Sequence, residues 1–447
     1  MSGRIQKFVD RHYAILIYCF ALILYSVLLY NLRSFGLLPM PIEGTDQRSM
    51  LFTAADLYRM KLPEGVYGYS PAYTVFLTGL IAVSQGDLVI MRIMQGALCA
   101  MIPVMIYWLG LRMRIGKEKA KLGALIYCFY GPASLITLDF LREAPLALCF
   151  ISYVYFLLRA ATSRRTFYFA LAGVFAGLCV LGRENFIPIV FLPAAVFMFR
   201  RFRIRIRMKQ VFAYLLAFTL LISPVITYNL ARFNSPTIIP GNLKNVLGFY
   251  YGERVKSDNS FAVNAVVKNI PSQIVKFCSS YEIPNSLSFY AHRDMVDFLW
   301  IFPVTFNFLL ALSISVLWLY RRNRGVLCVF LFILAYFMTM IYFDMFYRFR
   351  IPCVPLICVL AGASLGYVIM NIRRGRGVWT ATIVGLIFLL TYADSDKKRS
   401  SHEKVTTARV IIQTMQLGKA EAYIRKLEGD GIDTRQLRTM LADYSRK

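Results

Sequence analysis

About eleven stretches of this chain are apolar for long enough to cross roughly 30 Å of hydrocarbon as helices. They begin near Tyr13, Asp87, Leu122, Ala144, Phe167, Phe186, Val211, Trp300, Val326, Ile351 and Val378. Inside a bilayer the backbone must satisfy its own N–H and C=O groups, so such stretches fold as helices and the chain as an all-α polytopic membrane protein. The composition agrees: 58% of the residues are hydrophobic and 17% charged, which excludes both a water-soluble enzyme and a disordered tail protein. The first stretch ends in Asn31-Leu32-Arg33 with no small-residue cleavage site, and reads as an uncleaved anchor.

Charge then orients the spans. Of the 51 Lys and Arg, 23 fall at the N-terminus and in alternate short connections (112 to 121, 159 to 165, 200 to 209, 321 to 324, 373 to 376), accompanied only by Asp10 and Glu118. The other side holds 28 bases and 22 acids. Positive-inside asymmetry therefore predicts a cytoplasmic N-terminus and an outward C-terminus, and explains the formal charge of +27 without nucleic acid. The run from Arg201 to Arg207 reads as an anchor to anionic lipid headgroups, with no catalytic role. Eight of the nine cysteines sit in apolar runs, leaving Cys278 in a polar one, so a disulfide framework is not expected. His12, His292 and His402 lack metal-ligand spacing, so no zinc site is expected, and no cofactor beyond the substrates.

Three long polar segments, about 34 to 86, 229 to 299 and 393 to 447, face outward, so the chemistry belongs there. The domains read as 1–392 in the membrane and an extracytoplasmic helical tail, 393–447, in which Ala408, Ile411, Ala420, Ile424 and Leu427 keep helical rhythm. In the first outer segment Met50, Leu51, Ala54, Leu57 and Tyr58 mark an amphipathic helix lying at the membrane surface, with Thr45 as N-cap. Asp46 then stands in the first turn, where the helix dipole keeps a carboxylate ionised. Two readings stand for it, a base at the lipid–water boundary or a helix cap. Tyr69 and Tyr73 flank Pro71 ahead of a stretch, Ala72 to Ser84, too short to span; they either contact a sugar or phosphate or anchor in the interfacial belt. Arg92, Asp139 with Arg142 and Glu143, Arg183 with Glu184, and Asp344 with Arg348 and Arg350 place charge at outward span ends. Ionisable groups there either pair with one another or line a polar site, and several arginines among carboxylates suit a phosphate-bearing ligand.

The order of these motifs resembles the membrane glycosyltransferases of the GT-C superfamily, especially the family 39 protein O-mannosyltransferase-like enzymes and the lipid A aminoarabinose transferases. The resemblance runs from about residue 10 to 370. It rests on Gly44-Thr45-Asp46, Tyr69-Ser70-Pro71-Ala72-Tyr73, Arg142-Glu143-Ala144-Pro145, the small-residue span ending at Arg183, Pro224 to Asn229 leading to Gly241-Asn242, and Tyr347-Arg348-Phe349-Arg350-Ile351-Pro352. It implies a GT-C fold and transfer of a sugar from a polyprenyl-phosphate donor to a glycan, lipid or protein acceptor on the outer face of a bacterial inner membrane. Asp46 would be the catalytic base, with Arg142, Arg183, Arg348 and Arg350 on the donor phosphate. Glu43, Tyr69, Tyr73, Asp139, Glu143, Glu184, Asn229 and Asn242 would support them. The sequence departs from the family at Gln47, where many protein mannosyltransferases carry a second acid, and at Tyr-Ser-Pro-Ala in place of Glu-Lys-Pro-Pro. Two other classes compete: an O-antigen polymerase or ligase consuming a lipid-diphosphate oligosaccharide, and a transporter or lipid flippase. Against the last, the chain has neither a clear internal repeat nor a mid-span charge pair.

Overall fold

Helix is the only regular structure among the residues described in the computed structural model: 2–37, 41, 45–63, 70–198, 207–235, 259–284, 289–341, 345–374, 385, 408, 411–412, 417–429, 431 and 433–445. The helices are α1 (Ser2–Ser34), α2 (Asp46–Tyr58), α3 (Pro71–Ser84), α4 (Leu88–Cys99), α5 (Met101–Arg112), α6 (Lys117–Cys128), α7 (Gly131–Thr137), α8 (Glu143–Ser163), α9 (Thr166–Gly182), α10 (Ile187–Met198) and α11 (Met208–Phe233). There follow α12 (Asn259–Cys278), α13 (Phe289–Met295), α14 (Phe306–Leu319), α15 (Arg324–Met340), α16 (Tyr347–Arg350), α17 (Val354–Arg373), α18 (Leu417–Gly429) and α19 (Arg435–Ser445).

Six helical stretches are long and apolar enough to cross a membrane: Asp10–Ser34, Leu88–Arg112, Glu143–Ser163, Met208–Phe233, Asp297–Leu319 and Tyr347–Arg373. Shorter apolar helices are Pro71–Ser84, Thr166–Gly182, Glu184–Pro193 and Arg324–Met340. Ten of the expected span starts thus open onto helices; the eleventh, near Val378, lies outside the described residues. Asp87 caps α4 by accepting from the backbone N–H groups of Val89 and Ile90 at 2.7 and 3.0 Å, which hold its carboxyl below the usual range. The break between α4 and α5 follows from Pro103, which has no N–H for the Cys99 carbonyl.

Where helices cross most closely the sequence supplies glycine. A Cβ on Gly362 of α17 would stand 2.3 Å from the Gly123 nitrogen of α6, and one on Gly173 of α9 would stand 2.3 Å from the Tyr214 carbonyl oxygen of α11. Those helices meet backbone to backbone, and the dispersion contacts of close approach replace the hydrophobic drive that lipid cannot provide.

Contacts between connections sort them into two ends. The Asn323 side chain donates to the Met113 carbonyl at 2.9 Å, Lys119 to the Tyr320 hydroxyl at 2.5 Å, Gln210 to the Arg164 carbonyl at 2.5 Å, and Lys121 pairs with Asp10. The short basic connections therefore gather at one end, as the alternation of charge requires. Asp46, Arg142, Arg183 and Arg348 belong to the other.

There α2 and α3 lie together. Met50, Leu51 and Ala54 pack on Tyr73, Leu77 and Leu80, closed by Met91 and Phe140. The buried stripe is narrower than the sequence period predicts, since Leu57 is half-buried and Tyr58 is 52% exposed. In the tail, Ala408, Ile411, Ile412, Ala420, Ile424, Leu427 and Leu437 form a small separate core, against which Met295 of α13 also packs.

Candidate functional site

Asp46 is the first residue of α2, after Thr45 in the extended conformation of an N-cap residue. Its carboxylate accepts from Arg348 Nη2 at 2.5 Å, across 302 residues of sequence. The pair is asymmetric: the arginine side chain is 8% exposed and that of the aspartate 36%. A buried guanidinium thus fixes a carboxylate that still faces the open side of the site.

Around this pair the other outward turns converge. Gln47 donates to Asp139 Oδ2 at 2.9 Å, and Asp139 Oδ1 accepts from the Phe140 backbone at 2.8 Å. Gln95 holds that turn from below, donating to the Thr137 and Asp139 carbonyls at 2.9 and 2.6 Å while accepting from the Tyr73 hydroxyl at 2.9 Å. Arg92 donates to the Leu138 carbonyl at 3.1 Å and lies 4.5 Å from the centre of the Phe140 ring. Ser70, at φ +54° and fully buried, donates to the Gly182 carbonyl at 3.0 Å, which Arg142 also reaches at 3.4 Å. A non-glycine residue in this region costs on the order of 1 kcal/mol, and the Gly182 bond holds the start of α3 against the end of α9.

A second ionic group adjoins the first. Arg183 Nη1 stands 3.9 Å from Glu143 Oε1, and both side chains are almost fully buried. The Phe349 ring joins the two groups, with the Arg183 guanidinium 4.1 Å and that of Arg348 5.1 Å from its centroid. Tyr347 lies within electrostatic reach of Asp139, Glu143, Glu282 and Arg348. Four buried polar atoms in this region, Gln47 Oε1, Glu143 Oε2, Arg183 Nη1 and the Tyr347 hydroxyl, have no hydrogen-bond partner among the described residues. Each such atom costs about 1–3 kcal/mol, so a cluster of them at the meeting of four chain segments marks a place prepared for a polar ligand.

The structure revises several sequence expectations. Arg350 does not face this site: its guanidinium donates to the carbonyls of Phe277, Ser279 and Tyr281 at 3.1, 2.8 and 3.2 Å and pairs with Glu282. Its two terminal nitrogens are taken up in holding the end of α12 and the segment after it, and Glu282 in turn accepts from the Tyr130 hydroxyl at 2.9 Å. Tyr73 is neither an interfacial anchor nor a sugar platform, because it is 4% exposed and bonded to Gln95. Glu184 is half-buried and within electrostatic reach of Arg183. Asn229 is fully buried near the end of α11, beside Tyr228, whose hydroxyl donates to the Pro63 carbonyl at 2.8 Å. Glu43, Tyr69, Asn242 and Asp344 lie outside the described residues. Sequence reasoning passed over Gln95, a lone amide within an apolar run, and Tyr347, the neighbour of the arginine it singled out. Gln47 it noted only as a departure.

Residues 69–228 match the model of the Dolichyl-phosphate-mannose-protein mannosyltransferase family. No curated protein matches the sequence. Among solved structures, the oligosaccharyltransferase of Archaeoglobus fulgidus in its apo form superposes with a TM-score of 0.50 at 11% identity, covering 92% of this chain and 60% of that one. ArnT from Cupriavidus metallidurans, solved bound to undecaprenyl phosphate, gives a TM-score of 0.48 at 14% identity, covering 97% of this chain and 74% of that one. This chain spans about 60% of the length of the oligosaccharyltransferase. It has the GT-C fold of membrane glycosyltransferases, and its resemblance to family 39 holds over the matched segment.

Proposed function

We propose that this protein is a glycosyltransferase that moves a sugar from a polyprenyl-phosphate carrier to an acceptor hydroxyl, at the membrane face opposite its short basic loops. The observation that carries the reading is the Asp46–Arg348 pair, a half-open carboxylate held by a buried guanidinium, with Glu143, Arg183 and Arg142 behind it.

In the absence of donor, Arg348 holds Asp46 in place and, by its charge, weakens it as a base. The phosphate of an arriving donor, a diester of the polyprenol and the sugar, competes for the same guanidinium, which matches its free oxygens with parallel hydrogen bonds. Asp46 is then released to accept the proton of the acceptor hydroxyl. The acceptor oxygen forms its bond to the anomeric carbon as the bond from that carbon to the phosphate oxygen breaks, and the polyprenyl phosphate leaves with the electron pair. Attack from the side opposite the leaving group inverts the anomeric centre. Arg348, Arg183 and Arg142 stabilise the charge growing on the phosphate in a water-poor cavity, where such contacts are strongest. The scheme uses no metal. The positive-inside asymmetry supports a cytoplasmic N-terminus and an active face on the outer, periplasmic side of a bacterial inner membrane.

The test is a panel of radiolabelled polyprenyl-phosphate sugars incubated with purified protein and membrane extract, scored by label released from the carrier. Release from one monophosphate donor with an inverted product supports the proposal. Consumption of a lipid-diphosphate oligosaccharide alone contradicts it in favour of a polymerase or ligase.

A further inference from the structure

A cavity of about 860 Å³ opens between α1, α6 and α17 at the basic end of the bundle, away from Asp46. Its walls are apolar, formed in part by Leu16, Phe20, Leu125 and Ile369. Leu16 and Leu125 are each 39% exposed within helices that the sequence places in the membrane, so the cavity opens sideways toward hydrocarbon. Its mouth is charged: Lys119, Lys121, Arg373 and Arg374 line it, against one acid, Glu118. Just outside, Asp10 and Lys117 add one charge of each sign.

Only part of that charge is met from within. Lys121 is paired with Asp10 and Glu118, while Lys119 lies over the rings of Tyr320 and Tyr367 and pairs with no carboxylate among the described residues. Gly366 makes room for it, since a Cβ there would stand 2.6 Å from Lys119 Cγ. Arg373 and Arg374 end α17 exposed, and neither forms an ion pair among the described residues. Between Arg374 and Asp394 the sequence carries Arg376 and no acid.

We infer that this cavity binds an anionic phospholipid of the surrounding membrane, with a phosphate-bearing headgroup against Arg373, Arg374 and Lys119 and an acyl chain between Leu16, Phe20 and Leu125. Basic pockets between membrane helices combine the two features that such a lipid recognises, a fixed positive rim and a hydrocarbon-facing slot. A zwitterionic lipid meets the same slot without the net charge. The site is independent of the proposed transfer reaction.

The test is native mass spectrometry of the full chain in detergent, titrated with phosphatidylglycerol, with phosphatidylcholine of the same chains, and with inorganic phosphate. A photoactivatable phosphatidylglycerol then maps the position. The wild type is expected to retain phosphatidylglycerol selectively, with affinity falling as salt rises, and to be labelled within 117–125 and 366–374. Arg373→Gln with Arg374→Gln should weaken binding by about 30-fold. Leu125→Trp, which fills the slot and leaves the charges, should weaken it as well. Equal retention of phosphatidylcholine, unchanged binding by both variants, competition by inorganic phosphate at equal concentration, or label confined to 200–209 would each overturn the inference.

Discussion

Arg348 and Arg350 are two residues apart on one turn of helix and have different partners. Arg348 holds a half-exposed carboxylate, whereas Arg350 is 1% exposed and bonded to three backbone carbonyls and Glu282. Removing one member of a buried pair leaves the other uncompensated, at about 3–5 kcal/mol. Arg350→Met is therefore expected to lower the thermal midpoint in detergent markedly, and Arg348→Met to lower turnover with a smaller change in midpoint. Tyr347→Phe removes a buried hydroxyl that lacks a hydrogen-bond partner among the described residues, so stability should hold or rise slightly. A drop in turnover in that variant, read as separate changes in KM and kcat, would place the hydroxyl on the ligand. At this scale the sequence was partly legible. Asp46 stands out in the first turn of the amphipathic helix, and Glu143, Arg183 and Arg348 as charges at span ends. The loss of Arg350 to Glu282 was not readable, because it depends on a contact 68 residues away whose acid sits in a segment without periodicity.

Helices pair in this molecule through small residues and through bonds at their ends. Gly362→Leu would drive a branched side chain into the backbone of α6 around Gly123, and overpacking of this kind typically costs about 1–3 kcal/mol. The expected result is a lower midpoint in detergent, with the same substitution at the open Gly79 having little effect. In the tail, Glu428 accepts from Thr434 and from Arg438, joining α18 to α19, and these bonds hold its carboxyl down to about 2. A depressed carboxyl contributes its stabilisation fully above its unfolded value of 4.5, and loses it as pH falls through the folded value. The protection of the Arg435–Ser445 amides, their exchange taken relative to the intrinsic rate at each pH, should accordingly be unchanged from pH 7 to 5 and fall as pH drops toward 2, whereas Glu428→Ala should be less protected already at pH 7. Element existence was legible from apolar periods for the membrane-crossing stretches and α2, but not for α12 and α13, which lie in the polar segment 229–299 that read as a loop. The breaks at Cys99–Met101 and Cys128–Gly131 followed prolines inside one apolar run, and a hydropathy window smooths across those.

As a whole, the bundle separates two chemistries by the thickness of its helices. Basic connections tied by Lys121–Asp10, Lys119–Tyr320 and Asn323–Met113 stand at one end, and the carboxylate–guanidinium site at the other. The alternation of charge along the chain contained this division, because each span ends on the face opposite to the one it left. What the sequence could not contain was which outward turns meet: Asp46, Asp139 with Glu143, Arg183 and Arg348 come from four separate segments, and their convergence depends on how α4, α8, α9 and α17 pack. The central claim is that this convergence is where a phosphate-linked sugar is transferred. The most direct measurement is label released from a polyprenyl-phosphate sugar by the wild type, Asp46→Asn and Arg348→Ala, each at matched folding and saturating donor. Loss of a general base predicts a fall of about 10²–10⁴ for Asp46→Asn, and loss of a charge-stabilising contact one of about 10²–10³ for Arg348→Ala. Wild-type rates in both variants would contradict the account.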